Sequence, residues 1–276
     1  GGKGCTVSGA CGKKEDTANL QDALTGKLIA LARSALEKGA SVVTDDLIVD
    51  ALFMTITNVN FDNADISALG AKIADETAKL KASAENAREI DMNTIWNSKD
   101  EDARSLKSLL LFGMRGMAAY AHHAAALGKR DPGVYSFFYK GLSALASDFD
   151  VSTLLDLNME FGQANLKCME ILDAANTGTY GVPVPTKVTT NVEPGPFIVV
   201  TGHDLHDLKQ LLEQTDGMGI NVNTHGELLP SLSYPELKNN PQLKGNFGPP
   251  CTNHKKEFDG VQDEFLLPTN CLLQPQ

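Results

Sequence analysis

From Thr17 to about Gly178 the apolar residues recur three and four positions apart, the period of an amphipathic helix. A chain that repeats this pattern over consecutive segments with short connections is directed toward a helical bundle. In "DTANLQDALTGKLIALARSALEKG" the stripe is Leu20, Leu24, Leu28, Leu31 and Ala35, and Gly39 predicts a left-handed stop. "TDDLIVDALFMTITNVN" opens on Thr44 and acidic residues as an N-cap, and "DNADISALGAKIADETAKLKASAENA" is Ala-rich with the same spacing. The strongest helix is "DEDARSLKSLLLFGMRGMAAYAHHAAALG", stopped at Gly128. Two more follow, near "PGVYSFFYKGLSALAS" and "VSTLLDLNMEFGQANLKCMEILDAAN".

The period breaks in "TGTYGVPVPTKVTTNVEPG", whose prolines and β-branched residues read as a linker. Beyond it, "PFIVVT" predicts a strand, "DLHDLKQLLEQTDG" an amphipathic helix closed by Gly217, and "INVNT" a second strand. That is a βαβ unit with parallel strands and a right-handed crossover, and "EFLLPT" predicts a further strand of the same sheet. The expected fold class is α + α/β: a helical domain over 1–182, a linker over 183–194, and the start of a Rossmann-like parallel-sheet domain over 195–276. A length of 276 residues, 42% of them hydrophobic, suits about two domains at roughly 150 residues each.

In an open α/β sheet the loops after the carboxyl ends of the strands converge on one crevice, and His203, Glu227 and Cys271 each follow a strand. Their nitrogen, oxygen and sulfur donors form a mixed set suited to a transition metal rather than to Ca²⁺ or Mg²⁺. Taken singly, His203 also reads as a turn residue, Glu227 as a carboxylate near a helix start and Cys271 as a buried thiol. Cys5 and Cys11 form a C-x5-C in a glycine-rich loop, where thiolates can close around a compact inorganic core and backbone N–H groups can face its sulfurs. Two thiolates are half of a four-cysteine set, and a tail with two free thiols is the competing reading.

Other candidates read as structural. His206 is expected at a solvated helix position, His122 and His123 as one packed and one exposed imidazole, and Cys168 as a small core residue. Cys251 and His254 have the spacing of a C-x2-H clip without a second pair. "GMG" at 217–219 ends a helix, so it is a turn and not a phosphate-binding loop, and neither a Walker loop nor a G-x-S-x-G elbow occurs.

Lys and Arg total 24 against 35 Asp and Glu, and the formal charge of −11 disfavours nucleic acid or an anionic membrane as partner. No apolar run approaches the ~20 residues of a membrane span, and "GGKGCTVSGACGKK" lacks the apolar core of a secretory signal. Five unevenly spread cysteines do not resemble a disulfide framework, and a cytoplasmic or equally reducing setting is expected. The absence of an initial Met and the abrupt end at "EFLLPTNCLLQPQ" give the expectation of a piece of a longer polypeptide.

The residues above, with "GCTVSGACGK", "TANLQDAL", "DARSLKSLLLFGMRGMAAYAHHAAALG", "ANTGTYGVPVPTKV", "TGHDLHDLKQLLEQTDGMGINVNTHGELLP", "YPELK", "KGNFG" and "PTNCL", run in an order that resembles the N-terminal half of hybrid cluster proteins, also called prismane proteins or hydroxylamine reductases. The resemblance implies that Cys5 and Cys11 are the last two of four cysteines holding a [4Fe–4S] cluster, the first two lying upstream of Gly1. It likewise implies that His203, Glu227 and Cys271 are ligands of a hybrid [4Fe–2O–2S] cluster, with three further cysteines and a glutamate beyond Gln276. The chain departs from the family pattern at "GNFGPPC", and Cys251 takes no family role.

The activity implied by the resemblance is reduction of hydroxylamine to ammonia, and in some members of nitric oxide to nitrous oxide, with electrons from a donor protein. His203 and Glu227 are the expected catalytic positions, Glu227 as a ligand that also moves protons. Two other readings stay open: a cluster-free truncated chain acting as a structural or interaction module, and a zinc-dependent hydrolase using the His, Glu and Cys ligands.

Overall fold

The computed structural model describes residue 9 and residues 11–248, 253–261 and 264–269. The chain divides into two compact units, one ending at Leu172 and the other beginning at Asp173.

The first unit is helical: α1 Glu15–Lys38, α2 Val42–Met54, α3 Asn63–Leu80, the single turn α4 Asn93–Trp96, α5 Glu101–Ala126, α6 Pro132–Leu145, and most of α7 Val151–Tyr180. Helix α1 packs against α2, α3 and α6, and α5 packs against α2 and α6. The expected stripe explains this, because Leu24, Leu28 and Leu31 are fully buried. Each such burial stabilises by about 1.5–3 kcal/mol. Side-chain oxygens satisfy the free amides that begin most helices: Asp62 for α3, Asp100 for α5 and Asp131, followed by Pro132 at the first position, for α6.

Two boundaries differ from the sequence reading. Helix α2 starts at Val42, because Ser41 is the N-cap and Thr44 completes a reciprocal capping box three residues in. Gly39 ends α1 at φ +107° and ψ +138°, an extended conformation open to glycine and outside the left-handed helical region.

The second unit begins with the last turns of α7 and contains β1 Phe197–Thr201, α8 Leu205–Gln214, β2 Asn221–His225, a 3-10 segment Gly226–Ser233, α9 Pro235–Lys238, β3 Leu243–Asn246, α10 His254–Glu257 and β4 Glu264–Leu266. The strands form one sheet in the order β3-β2-β1-β4, every pair parallel. Helix α8 is the expected crossover and buries Leu208 and Leu212.

Strand β3, in "KGNFG", was not anticipated from the sequence. Its outer side is taken by the proline-rich segment, where Asn246 N–H donates to the Thr189 carbonyl at 3.0 Å. A Cβ at Gly245 would lie 2.3 Å from that carbonyl oxygen, so glycine lets the two backbones meet. Among the described residues no helix is long and apolar enough to cross a membrane.

Candidate metal centre

Because β1, β2 and β4 run parallel, their carboxyl ends share one edge of the sheet. The register aligns them closely: Thr201 pairs with His225, and Val200 pairs with Leu266. Gly202–His203, Gly226–Glu227 and the residues after Leu266 therefore leave the sheet at nearly the same level. His203 N–H donates to the Thr269 carbonyl at 3.1 Å, which ties the β1 loop to the β4 loop two residues before Cys271. Cys271 itself lies outside the described residues. Gly202 permits the crossing: its φ is +119°, and a Cβ there would meet the carbonyl oxygens of Thr269 and Pro268 at 2.8 and 2.9 Å.

His203 and Glu227 are both exposed at this edge. The His203 ring is nevertheless partly shielded by its surroundings, and the lost hydration pushes its pKa below the usual range. The Glu227 carboxylate, within electrostatic reach, offsets part of that shift. A lowered pKa favours the neutral imidazole, the form that ligates metals. The hydroxyl of Thr269 is buried without a hydrogen-bond partner among the described residues. An unmet buried hydroxyl on the residue whose carbonyl receives the His203 N–H fits an edge that receives a polar or inorganic group.

Beneath these donors lies His225, fully buried, with Nδ1 3.2 Å from Thr201 Oγ1 and Nε2 2.8 Å from Glu257 Oε2. A proton on Nε2 serves the carboxylate and leaves Nδ1 to accept from the hydroxyl. The ring lies edge-on to Phe258 and tilted against Phe247, so it links β1, β2 and α10. No local sequence signal marks this pair, since Glu257 is 32 residues from His225.

His206 is half-buried rather than fully solvated. Asp204 caps α8, accepting from the backbone N–H groups of His206 and Asp207 at 2.8 and 3.1 Å. This gathers one donor atom each of Asp204, His206 and Asp207 within 4.8 Å of one another. Tyr180 is completely buried near Asp204, and its hydroxyl lacks a partner among the described residues. Burial, followed by the charge of Asp204, raises the Tyr180 pKa.

In the first unit Cys11 is buried, with Sγ 3.7 Å from the Thr57 carbonyl oxygen. A Cβ at Gly9 would approach that sulfur to 3.0 Å, so the glycine keeps the space beside the thiol clear. Lys13 Nζ donates to Gln21 Oε1 at 2.6 Å, and Gln21 Nε2 donates to the Met54 and Asn60 carbonyls at 3.1 and 3.4 Å. The Cys11 loop is thus fastened to α1 and to the turn after α2. A buried thiol within electrostatic reach of the Lys13 ammonium suits a thiolate-ligated centre. Its companion Cys5 lies outside the described residues.

Cys168 is a core residue as expected, and burial pushes its thiol up to about 12. His122 and His123 differ from the expectation of one packed and one exposed ring. Both are half-buried, both lie against Phe53, and His122 Nδ1 is 2.9 Å from Asp50 Oδ1. Cys251 and the His254 side chain lie outside the described residues.

A family model described as Prismane/CO dehydrogenase family matches residues 1–276. Proteins named hydroxylamine reductase from Solidesulfovibrio magneticus and Syntrophobacter fumaroxidans are 44% and 42% identical to the chain over 303 and 306 residues, covering 99% and 100% of it. One of the same name from Methanocella arvoryzae is 40% identical over 306 residues, or 100% of the chain. The chain spans about half the length of these curated relatives, 56% in each case.

Proposed function

The chain belongs to the Prismane/CO dehydrogenase family, and from that premise we propose that it is part of an iron–sulfur oxidoreductase that reduces hydroxylamine to ammonia. The relatives it matches carry the name hydroxylamine reductase. The observation that carries the reading is the shared edge of the sheet. There the His203 imidazole and the Glu227 carboxylate lie in electrostatic reach, and the His203 backbone is bonded to Thr269, close before Cys271.

In this reading Cys5 and Cys11 hold a [4Fe–4S] cluster, and His203, Glu227 and Cys271 hold a hybrid [4Fe–2O–2S] cluster, each completed by ligands supplied from elsewhere. Bound iron–sulfur groups supply electron transfer from a donor protein and an iron site for the N–O substrate. The reaction consumes two electrons and two protons: NH₂OH breaks its N–O bond, and NH₃ and H₂O leave. In members that take nitric oxide, two NO with the same two electrons and two protons give N₂O and H₂O.

The chain's own residues provide position and protons. Glu227 offers a carboxylate oxygen that can receive a proton from water at this exposed edge and pass it toward the departing oxygen. His203, kept neutral by its partial burial, offers a ring nitrogen to iron without first losing a proton. The Gly202 crossing fixes the distance between the β1 and β4 loops, and the buried His225–Glu257 pair holds the ends of β1 and β2 beneath the donors.

Anaerobic isolation of the complete polypeptide, with iron, sulfide and zinc analysis and electron paramagnetic resonance, tests the proposal. Brown protein with iron–sulfur signals and hydroxylamine-dependent ammonia release is expected. Colourless protein would favour the structural module, and stoichiometric zinc the hydrolase. Glu227→Gln should lower turnover at least about tenfold, the lower range for removing one acid–base group. Unchanged turnover would remove its proton-carrying role.

A further inference from the structure

Two cations reach the same face of α1 from different parts of the chain. Lys13 is anchored on Gln21, and one turn further on Arg115 of α5 donates from Nη2 to Thr25 Oγ1 at 3.2 Å. The Thr25 hydroxyl in turn donates to the Gln21 carbonyl at 2.8 Å, so the two anchors are joined. Arg115 is half-buried, its Nε has no hydrogen-bond partner among the described residues, and its guanidinium sits 5.3 Å from the centre of the Phe112 ring.

A guanidinium stays charged at any accessible pH, and burying it is costly unless an anion stands near. Asp22 is such an anion, but it faces both Arg115 and Lys13, and it also accepts from Trp96 Nε1 at 3.3 Å. Glu89 and Asp91 line the outer part of an open cavity of about 620 Å³ beside Asp22, where water screens them. Lys13 and Arg115, both half-buried, thus share the half-buried Asp22 carboxylate. Cys11, two residues before Lys13, lies within electrostatic reach of the same ammonium.

An iron–sulfur centre held by thiolates is anionic and gains one more negative charge when reduced. We propose that Arg115 is a half-buried counter-charge that raises the reduction potential of the centre held through Cys11, with Asp22 opposing it. This rests on the reading that Cys11 is a cluster ligand. In the step concerned, one electron passes from the reduced donor protein to the centre. The donor is oxidised by one electron, no bond forms or breaks, and no proton is taken up. Arg115 acts through its fixed charge and touches neither substrate nor iron.

A unit charge roughly 10 Å from another, at an effective dielectric of about 20, changes an equilibrium about tenfold. For a one-electron couple that is a midpoint shift of about 59 mV. The test is a potentiometric titration of the complete, anaerobically isolated polypeptide, followed by electron paramagnetic resonance of the N-terminal cluster. Arg115→Met should lower the midpoint by about that amount, Arg115→Lys should keep it near the wild-type value, and Asp22→Asn should raise it.

Intact signals with an unmoved midpoint in Arg115→Met and Asp22→Asn overturn the inference and leave the cluster reading standing. A wild-type protein without cluster iron or sulfide overturns both. Should Arg115→Met fail to accumulate, Asp22→Asn decides alone, and an unchanged or lower midpoint refutes the role.

Discussion

Gly26 lies in the middle of α1, where alanine would ordinarily favour the helix by about 1 kcal/mol. Here the sign should reverse. A Cβ at this position would stand 2.1 Å from the Ile90 carbonyl oxygen, against the 3.0 Å below which Cβ contacts essentially never fall. The obstacle is backbone, so no rotamer change relieves it. Segment 89–93 must withdraw by about 1 Å, stretching the Ile90 N–H to Gly26 carbonyl bond, already 3.3 Å long, and loosening Met92 and Ile95, each 3% exposed. Losing that bond costs about 0.5–1.5 kcal/mol and forced repacking about 1–3 kcal/mol. Together they exceed the propensity gain, and Gly26→Ala should destabilise by about 1–3 kcal/mol net.

Gly116 of α5 is the matched control, because a Cβ there meets nothing within 4 Å. Gly116→Ala should stabilise by about 0.5–1 kcal/mol. Thermal unfolding of the complete polypeptide at matched iron content separates the two. At about 2–4 °C per kcal/mol for a domain of this size, Gly26→Ala melts lower by about 2–12 °C and Gly116→Ala higher by a few degrees. Trp96, the one tryptophan of this sequence, bonds Asp22 one turn before Gly26, so tryptophan emission should differ from wild type in Gly26→Ala and not in Gly116→Ala. Equal or greater stability of Gly26→Ala, or the same sign in both variants, would refute the close-approach argument.

Three further outcomes are expected. Gly202→Ala places a Cβ against two carbonyl oxygens at a φ of +119° and should cost about 1–3 kcal/mol locally. Helical circular dichroism should survive while, on the proposed function, the iron content of the complete polypeptide falls, and full iron content in the variant would refute the crossing's role. Cys168, with its thiol pushed up to about 12 by burial, carries a thiolate fraction of only about 10⁻⁴ at pH 8. Mass spectrometry should find it alkylated only after denaturant is added, and labelling of the native protein at the rate of an exposed thiol contradicts its placement. The Glu37 carboxylate accepts from the Ser83 backbone N–H at 3.0 Å and from Asn86 Nδ2 at 2.8 Å, and the Ser83 bond is the main reason its pKa falls from 4.5 to about 2. A folded pKa below the unfolded one gives stability that is present above pH 4.5 and lost as pH falls toward 2, so the stability difference between wild type and Glu37→Gln should shrink across that window. A difference that stays flat there removes the linkage.

The helices were legible because period and caps are local. Even the misplaced start of α2 has a local cause: Val42 and Val43 are 64% and 55% exposed and so stand off the buried stripe, which made Thr44 with its acidic neighbours look like the cap. Strand β3 was not legible, since "LKGN" has no alternation and its glycine answers to Thr189, more than fifty residues earlier. The same division runs through the candidate sites. That His203 and Glu227 leave the sheet at one edge could be read ahead, because parallel strands place whatever follows them there, a rule that needs only the strand ends. His225 with Glu257 could not, nor could the joined anchors of Lys13 and Arg115, because each depends on a partner far along the chain. One signal for Arg115 was present: it is the single charge between Leu109 and Ala119, a run otherwise of apolar and glycine residues. A charge kept inside such a run faces either the solvent or a buried counter-charge, and helical period alone cannot separate the two. The hydrogen bond to Thr25 and the reach to Asp22 decide it here: Arg115 turns inward, toward α1, instead of to solvent.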